Sequence, residues 1–178
     1  MIRVGPVLVE CVQGDIADQP GVDAVVCAAN PHLTTGDGVA GAIHDAAGPG
    51  LYREAEPFAP VRTGDAVITG AHGLPNRHVI HTVGPIYGRD EPAARLLASC
   101  YRRSLELADQ AGLESVAFPA ISTGVYGYPV AEAARVSVAT VLDVASELRS
   151  VRHVRFVLWG AEDLGVFERT LERLSSRT

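Results

Sequence analysis

Hydrophobic and polar positions follow two patterns along the chain: short continuous apolar runs, and apolar residues spaced three or four positions apart. Val22 and residues 24–29 form an apolar run typical of a strand buried on both faces. A glycine turn follows at 36–38, apolar residues recur at helical spacing over 39–47, and the glycines of 48–50 end this predicted helix. Strand, glycine loop and helix start together direct backbone N–H groups toward one point, so the segment predicts an anion-binding site.

The rest of the chain continues this alternation of strand and helix patterns. Alternating elements indicate an α/β fold, a three-layer α/β/α sandwich on a mostly parallel sheet. Because no repeat or linker interrupts the pattern, residues 1–178 are expected to form a single domain. Further strands are predicted at 7–12, 65–69, 78–83, 115–118 and 153–159, and further helices at 91–111, 129–148 and 162–174, with a short helical turn within 51–60.

Composition narrows the classes of function. Apolar residues make up 47% of the chain and charged residues 20%, which is typical of a globular protein. The formal net charge of −6 argues against non-specific binding of nucleic acid by the whole surface. No apolar run is long enough to span a bilayer and the first residues lack the layout of a signal peptide. Because the three cysteines lie far apart, we expect reduced thiols in a cytoplasmic protein, with no membrane contact.

A second glycine loop follows another predicted strand. Residues 122–128 come after the strand at 115–118 and lead into a helix that Pro129 can begin, because the first helical residue needs no N–H. Ligands bind at the carboxyl ends of parallel strands in an open α/β sheet, so the two glycine loops would form a slot for a diphosphate. Neither loop has the Walker A or GxGxxG spacing, which disfavours a nucleotide triphosphatase and an ordinary dinucleotide dehydrogenase.

Five segments in a fixed order carry the most specific signal. They are Gly14-Asp15-Ile16, residues 23–30 (DAVVCAAN), residues 36–44 (GDGVAGAIH), residues 79–85 (VIHTVGP) and residues 117–129 (AFPAISTGVYGYP). On these segments the chain resembles the macrodomain family over nearly its whole length. The resemblance implies a mixed six-stranded sheet between helices, with ADP-ribose in the cleft and no cofactor. The chain is most similar to the branch that removes mono-ADP-ribose from proteins and deacetylates O-acetyl-ADP-ribose.

The resemblance also implies roles for individual residues. Asp15 would accept a hydrogen bond from the adenine amino group beside the Ile16 backbone, and Trp159 would stack on the adenine. Asn30 would bind the distal ribose next to the bond that is cut. Backbone groups of the two loops would hold the diphosphate: Ser122, Thr123, Gly124, Val125 and Tyr126 on one side, and Gly38, Val39 and Ala40 on the other.

Three residues depart from the pattern of the family. Cys27 replaces an asparagine within the buried strand, where an inert packed thiol is favoured over a nucleophile. Asp37 replaces a glycine of the first loop; a solvated turn residue is favoured, and the sharper hypothesis makes it a displaced general base. Ala40 stands where the cellular hydrolases usually carry an aspartate that activates water, although some viral-type macrodomains with hydrolase activity also have alanine there.

These residues support two functions that share one pocket. The leading prediction is a monomeric hydrolase of ADP-ribosylated proteins, with Asn30 and Asp37 as catalytic candidates and a water activated by the phosphate of the ligand. The alternative is a non-catalytic reader of ADP-ribose. A nucleic-acid-binding module is a third interpretation, which the acidic charge disfavours. His44 and His81 are interpreted as packed histidines with one satisfied nitrogen, and no metal site is predicted because no histidine–carboxylate pair has ligand spacing.

Overall fold

Seven short strands form one mixed sheet in the computed structural model, which describes residues 1–178. In chain order the strands are β1 (Ile2–Val4), β2 (Val7–Gln13), β3 (Ala24–Ala29), β4 (Ala66–Gly70), β5 (His78–Val83), β6 (Ser115–Phe118) and β7 (His153–Leu158). The order across the sheet is β1-β2-β7-β6-β3-β5-β4. The five inner strands are parallel, and the edge strands β1 and β4 are antiparallel to their neighbours. The predicted α/β architecture on a mostly parallel sheet is confirmed.

The sheet has one strand more than the expected six. The additional strand, β1, pairs with β2 through a turn at Gly5, whose φ of 55° lies in the left-handed region that glycine adopts readily. β1 has only three residues, too few to show an alternating pattern in the sequence. Its pairing with β2 is therefore a feature that only the folded sheet reveals.

Five α-helices cover the two faces of the sheet. They are α1 (Gly38–Ala47), α2 (Gly50–Ala55), α3 (Ala93–Gln110), α4 (Val130–Ala145) and α5 (Ala161–Ser175), with a 3₁₀ turn (Glu56–Phe58) after α2. Helices α1 and α2 lie on one face, and α3, α4 and α5 on the other. None of the five is both long and apolar enough to cross a lipid bilayer. The predicted helices are confirmed with shifted ends; Pro129 precedes the first helical residue of α4, because its backbone is extended with ψ 129°.

Two hydrophobic cores lie on opposite faces of the sheet, and strand β3 contributes to both. Ala24 and Val26 point into the core under α3, α4 and α5, whereas Val25 and Cys27 point into the core under α1 and α2. Successive side chains of a strand alternate between faces, so a strand covered on both sides must be apolar at every position. This double burial explains the continuous apolar run in the sequence.

Tyr101 of α3 anchors the chain segment that leaves β6. Its hydroxyl donates to the carbonyl of Pro119 at 3.1 Å and accepts the N–H of Ile121 at 3.2 Å. The ring is buried and packs against Phe118, with the two ring centroids 4.9 Å apart. The larger core thus fixes the backbone at the carboxyl edge of the sheet, where the glycine loops lie.

Candidate ligand-binding cleft

The carboxyl ends of the parallel strands surround a cleft of about 410 Å³. One wall is the first loop (residues 30–37) together with the start of α1, and the other is the second loop (residues 119–128). These loops follow β3 and β6, which are neighbours in the sheet, so they face each other as predicted. The volume is within the usual range of small-molecule sites, about 300–1,000 Å³.

Most residues predicted to form the site line this cleft. From the first wall these are Asn30, Asp37, Gly38, Val39 and Ala40, and from the second wall Ser122, Gly124, Val125 and Tyr126. Six lining residues had no role assigned from the sequence: Ala28, Ala29, Gly36, Gly84, Ala120 and Ile121.

Both walls of the cleft present backbone N–H groups that have no acceptor within the protein. The first amides of a helix cannot form intrahelical bonds, and no side chain caps α1. The second loop leaves three consecutive amides unbonded for a different reason, because it turns back on itself around them. Opposed rows of donors suit an anion with several oxygens, such as a diphosphate. The free donors are the N–H groups of Gly38, Val39, Ala40, Gly124, Val125 and Tyr126.

Asn30 organises the first loop through its side chain. Its Oδ1 accepts the N–H groups of His32 at 3.1 Å and Thr34 at 3.2 Å, and its Nδ2 donates to the Thr34 hydroxyl at 2.6 Å. This leaves one hydrogen of the Nδ2 amide for a ligand. Asn30 therefore shapes the wall of the cleft as well as offering a donor within it.

Two side chains at the start of α1 differ in polarity and exposure: Asp37 is acidic and exposed, and Ala40 is apolar and buried. Asp37 is exposed at the N-cap position, where its carboxylate caps no helical N–H, and it lines the cleft. Ala40 lies in the first helical turn and is only 5% exposed. Its methyl group lies 3.5 Å from where a Cβ on Gly36 would stand. The only acidic side chain of this wall is thus the exposed Asp37, and position 40 is apolar.

The second loop contains a buried serine in left-handed backbone. Ser122 has a φ of 69°, its hydroxyl has no hydrogen-bond partner, and its carbonyl accepts the N–H of Tyr128 at 2.9 Å. Thr123 does not line the cleft, because its hydroxyl donates to the Ala120 carbonyl at 2.7 Å within the loop. Gly84 closes the floor beneath, and a Cβ there would collide with the Ser122 hydroxyl.

The residues predicted to bind adenine lie outside the cleft lining, after the next two strands along the same edge. Asp15 follows β2, and one carboxylate oxygen accepts the N–H of Ala17 at 2.9 Å. Ile16 is buried, whereas Trp159, which follows β7, is 80% exposed. Strands β2 and β7 are neighbours, so Asp15 and Trp159 share one end of the edge.

Under α1 the structure brings together three polar side chains that the sequence keeps far apart. Cys27 pairs in register with His81 of β5, and His44 packs over them from the last turn of α1. All three are buried, and one donor atom from each lies within 4.8 Å of the other two. The histidine–carboxylate spacing on which no metal site was predicted could not indicate this trio, because neighbouring strands and a helix assemble it.

Burial disfavours the charged forms of these three side chains, and it lowers the pKa of His44. It raises the pKa of the Cys27 thiol to about 12, as expected for a packed thiol and not for a nucleophile. It also lowers the pKa of His81 to about 4, with a smaller contribution from His44. His81 has one bonded ring nitrogen as predicted, Nε2 at 2.9 Å from the Thr69 hydroxyl. For His44 the expectation was wrong, since neither ring nitrogen has a protein partner and Nδ1 is fully enclosed.

Comparison with known proteins places this geometry among relatives. A family model described as Macro domain matches residues 26–137. The chain is 45% identical over 168 residues to a Cronobacter turicensis protein named O-acetyl-ADP-ribose deacetylase, with 92% of this chain and 95% of that protein covered. It is similar to the Oceanobacillus iheyensis macrodomain with ADP, at 38% identity and a TM-score of 0.94, with 99% of this chain and 96% of that chain covered. A glycine-to-valine mutant of that macrodomain with ADPR gives 36% identity and a TM-score of 0.93, with 98% and 97% covered.

Proposed function

The chain belongs to the macrodomain family, and from this premise we propose that it binds ADP-ribose and hydrolyses mono-ADP-ribose from acidic side chains of modified proteins. The activity in the name of the Cronobacter turicensis relative supports a related deacetylation of O-acetyl-ADP-ribose. The proposed partners are ADP-ribose and ADP-ribosylated proteins.

The observation that carries the proposal is the double row of unbonded backbone N–H groups in the cleft. A diphosphate offers oxygens to both walls, and backbone donors bind it without a cationic side chain. This matters in a protein whose net charge of −6 repels anions at a distance.

The order of strands along the edge supports one orientation of the ligand. Asp15 and Trp159 follow β2 and β7, the second loop follows β6, and Asn30 follows β3. Three interstrand spacings of about 4.8 Å separate β2 from β3, or about 14 Å in all. An extended ADP-ribose would place adenine beside Trp159, the diphosphate between the loops and the distal ribose beside Asn30.

In the proposed reaction the phosphate of the ligand replaces a protein base. A water held between the diphosphate and the distal ribose attacks the anomeric carbon. The bond from that carbon to the carboxylate oxygen of the modified side chain breaks, and its electron pair leaves with the carboxylate. The proton of the water passes to a phosphate oxygen. A carboxylate leaves without acid assistance, so positioning of the water by Asn30 and the second loop supplies the acceleration.

The second candidate function is a reader that binds ADP-ribose without cleaving it. Ala40 favours this alternative, because an apolar, 5% exposed side chain at the start of α1 cannot activate a water. Reader and hydrolase use the same cleft, so only turnover separates them.

The deciding experiment measures release of ADP-ribose from a protein modified on glutamate or aspartate, together with ADP-ribose affinity by calorimetry. Asn30→Ala removes both the donor and the side-chain bonds that hold the first loop. Asn30→Asp is the matched control, since its carboxylate can still accept from His32 and Thr34 but offers no amide donor.

We expect the wild type to release ADP-ribose and both variants to lose release by about 100-fold or more, since misplacing the reacting groups costs about this factor. Asn30→Asp should keep the loop, and its affinity should stay within about tenfold of the wild type, because loss of one hydrogen bond costs about 1 kcal/mol. Binding without release by the wild type would establish the reader. Full activity of Asn30→Asp would remove the amide donor from the mechanism.

The role of Asp37 needs a separate pair of variants. Asp37→Gly removes the carboxylate, and Asp37→Asn keeps the size of the side chain without its charge. If Asp37 is a displaced general base, both variants lose release by about 100-fold, the lower range for general base catalysis. Unchanged or faster turnover would leave Asp37 a solvated loop residue, as its exposure and lack of side-chain bonds favour.

A further inference from the structure

The trio of Cys27, His44 and His81 lies outside the chemistry proposed for the cleft, and nothing in that chemistry uses it. The three side chains are 0%, 5% and 0% exposed. They lie between α1 and the strands β3 and β5, and none of the three lines the cleft. Any role of these three side chains must therefore depend on their position next to one another.

Each of the two buried histidines has a ring nitrogen without a hydrogen-bond partner, which is unusual for buried polar atoms. The Nδ1 atoms of His44 and His81 are enclosed and accept or donate no hydrogen bond within the protein. Buried polar atoms are nearly always bonded, so two orphaned nitrogens beside one thiol need an explanation.

Hydrogen bonding around Thr69 determines which nitrogen of His81 is free. The Thr69 hydroxyl donates to the carbonyl of Gly70 at 3.0 Å, so it accepts from Nε2–H of His81 at 2.9 Å. Nδ1 of His81 then carries a lone pair and no proton. An imidazole whose second nitrogen donates to an oxygen is the arrangement that orients a metal-binding histidine.

We propose that Cys27, His44 and His81 form a three-coordinate site for a soft monovalent metal ion, Cu(I). One thiolate and two imidazoles are donors that this ion accepts. One ligand atom of each side chain, which is Nδ1 or Nε2 for a histidine, lies within 4.8 Å of the other two. Bonds of about 2.0–2.3 Å at trigonal angles require separations of about 3.5 Å, so each pair must approach by at most about 1.3 Å.

Charge selects a monovalent ion over a divalent one. When Cu(I) binds, the Sγ–H bond of Cys27 breaks, an Sγ–Cu bond forms and the proton leaves to solvent, so the buried site stays neutral. Zn²⁺ would leave one uncompensated positive charge, which is costly in an apolar interior. The carboxylates that act on these histidines, Glu54 and Asp45, are exposed, and Glu54 is already bonded to the Gly70 N–H and His72.

The test titrates fully reduced protein anaerobically with Cu(I) supplied as its bicinchoninate complex, and measures transfer of copper from the dye. We expect one Cu(I) per chain and a copper X-ray absorption spectrum with one sulfur and two nitrogen neighbours. A spectrum with sulfur neighbours alone, or with no sulfur, would overturn the assignment. Failure of the protein to take copper from the dye would do the same.

Matched variants locate the site among the three thiols. Cys27→Ser and His81→Gln should each weaken Cu(I) binding by more than about 100-fold, because even a lost outer partner costs about 10–100-fold. Cys100→Ser and Cys11→Ser should bind as the wild type does; Cys100 is equally buried, in the other core. Loss of copper in either control, or retention in Cys27→Ser, would contradict the proposal. Circular dichroism checks that each variant is folded.

A parallel titration with Zn²⁺ tests the charge argument. Competition against a chelating dye should show that Zn²⁺ is not retained at one per chain under conditions that load Cu(I). If the wild type binds one Zn²⁺ per chain and Cys27→Ser does not, the assignment of the site to a monovalent ion is wrong. These readouts do not depend on hydrolysis of ADP-ribose, so they stand or fall apart from the function proposed for the cleft.

Discussion

Ala40 has the largest effect on the proposed chemistry of the cleft, because its side chain is a methyl group that cannot act as a base. Ala40 lies in the first turn of α1 beside Gly36, facing the same space as Asn30. A carboxylate here would benefit from the free N–H groups and the positive end of the helix. The chain instead leaves activation of water to the ligand, in the reaction proposed above.

Restoring an acidic residue at this position tests that account. We expect Ala40→Asp to raise the rate of ADP-ribose release by at least about tenfold, because a placed general base contributes typically about 10²–10⁴-fold. Ala40→Asn, of equal size and without charge, is the control and should not accelerate release. Equal rates for the two variants would mean that position 40 does not reach the attacking water.

Gly84, which follows β5, allows the second loop to pack closely against the end of this strand. A Cβ at this position would overlap the Ser122 hydroxyl and lie 2.7 Å from Cγ2 of Ile121. Only glycine lets the second loop lie this close to the end of β5.

Gly84→Ala is expected to displace the second loop. Overpacking of this kind costs about 1–3 kcal/mol of unfolding free energy, and ADP-ribose affinity should fall by tenfold or more, about 1.4 kcal/mol per decade. Gly165→Ala is the matched control, since its new methyl meets only the mobile end of Arg169 within α5. Calorimetry and urea denaturation measure both quantities. Unchanged affinity in Gly84→Ala would show that the loop tolerates the shift.

Asp109 joins two elements at the opposite edge of the sheet. From the end of α3 its carboxylate accepts the N–H groups of Arg149, Ser150 and Val151, which lead into β7. Burial raises the pKa of Asp109, but the N–H groups of Val151, Ser150 and Arg149 outweigh it and hold the pKa below the usual 3.8.

The effect of Asp109 on stability should depend on pH. A depressed pKa stabilises the folded state above pH 3.8, and this contribution disappears as the pH falls through the lower folded pKa. Asp109→Asn should therefore lower the free energy of unfolding by about 2 kcal/mol at pH 7, and by less below pH 3. Urea denaturation at both pH values measures this, with Asp143→Asn, an exposed partner of Arg102, as control. A difference that stays constant to pH 2.5 would contradict the argument.

At the scale of the whole molecule, ligand binding and folding are coupled. The cleft is built from both cores and from loops after β3, β5 and β6, so a ligand bound there stabilises only the assembled domain. The net charge of −6 also opposes non-specific binding of RNA by the whole surface, whereas the unbonded backbone N–H groups of the cleft suit a diphosphate.

ADP-ribose at about 100 times its Kd should raise the free energy of unfolding by about 2.7 kcal/mol. For a chain of this length, that corresponds to an increase in Tm of about 5–11 °C. Differential scanning calorimetry measures the shift, and ribose alone, which lacks the diphosphate, is the control. An equal effect of ribose, or none from ADP-ribose, would argue against the diphosphate site.

The sequence by itself determined the fold class and the edge of the sheet that forms the cleft. Both depend on local patterns: the apolar run of β3 indicates burial on both faces, and the glycine loops follow strand ends. The individual residues predicted to line the cleft came from the resemblance to the family. The number of strands was wrong by one, because a three-residue strand has no period of its own.

Only the tertiary structure decided how side chains distant in sequence meet. Cys27 and His81 become neighbours through the register of β3 and β5, and α1 adds His44. Asp109 meets residues 149–151 across the end of the sheet, and Gly84 meets Ser122. Such contacts depend on the packing of whole elements, since one residue of strand register reverses every side chain. No local pattern in the chain contains that information.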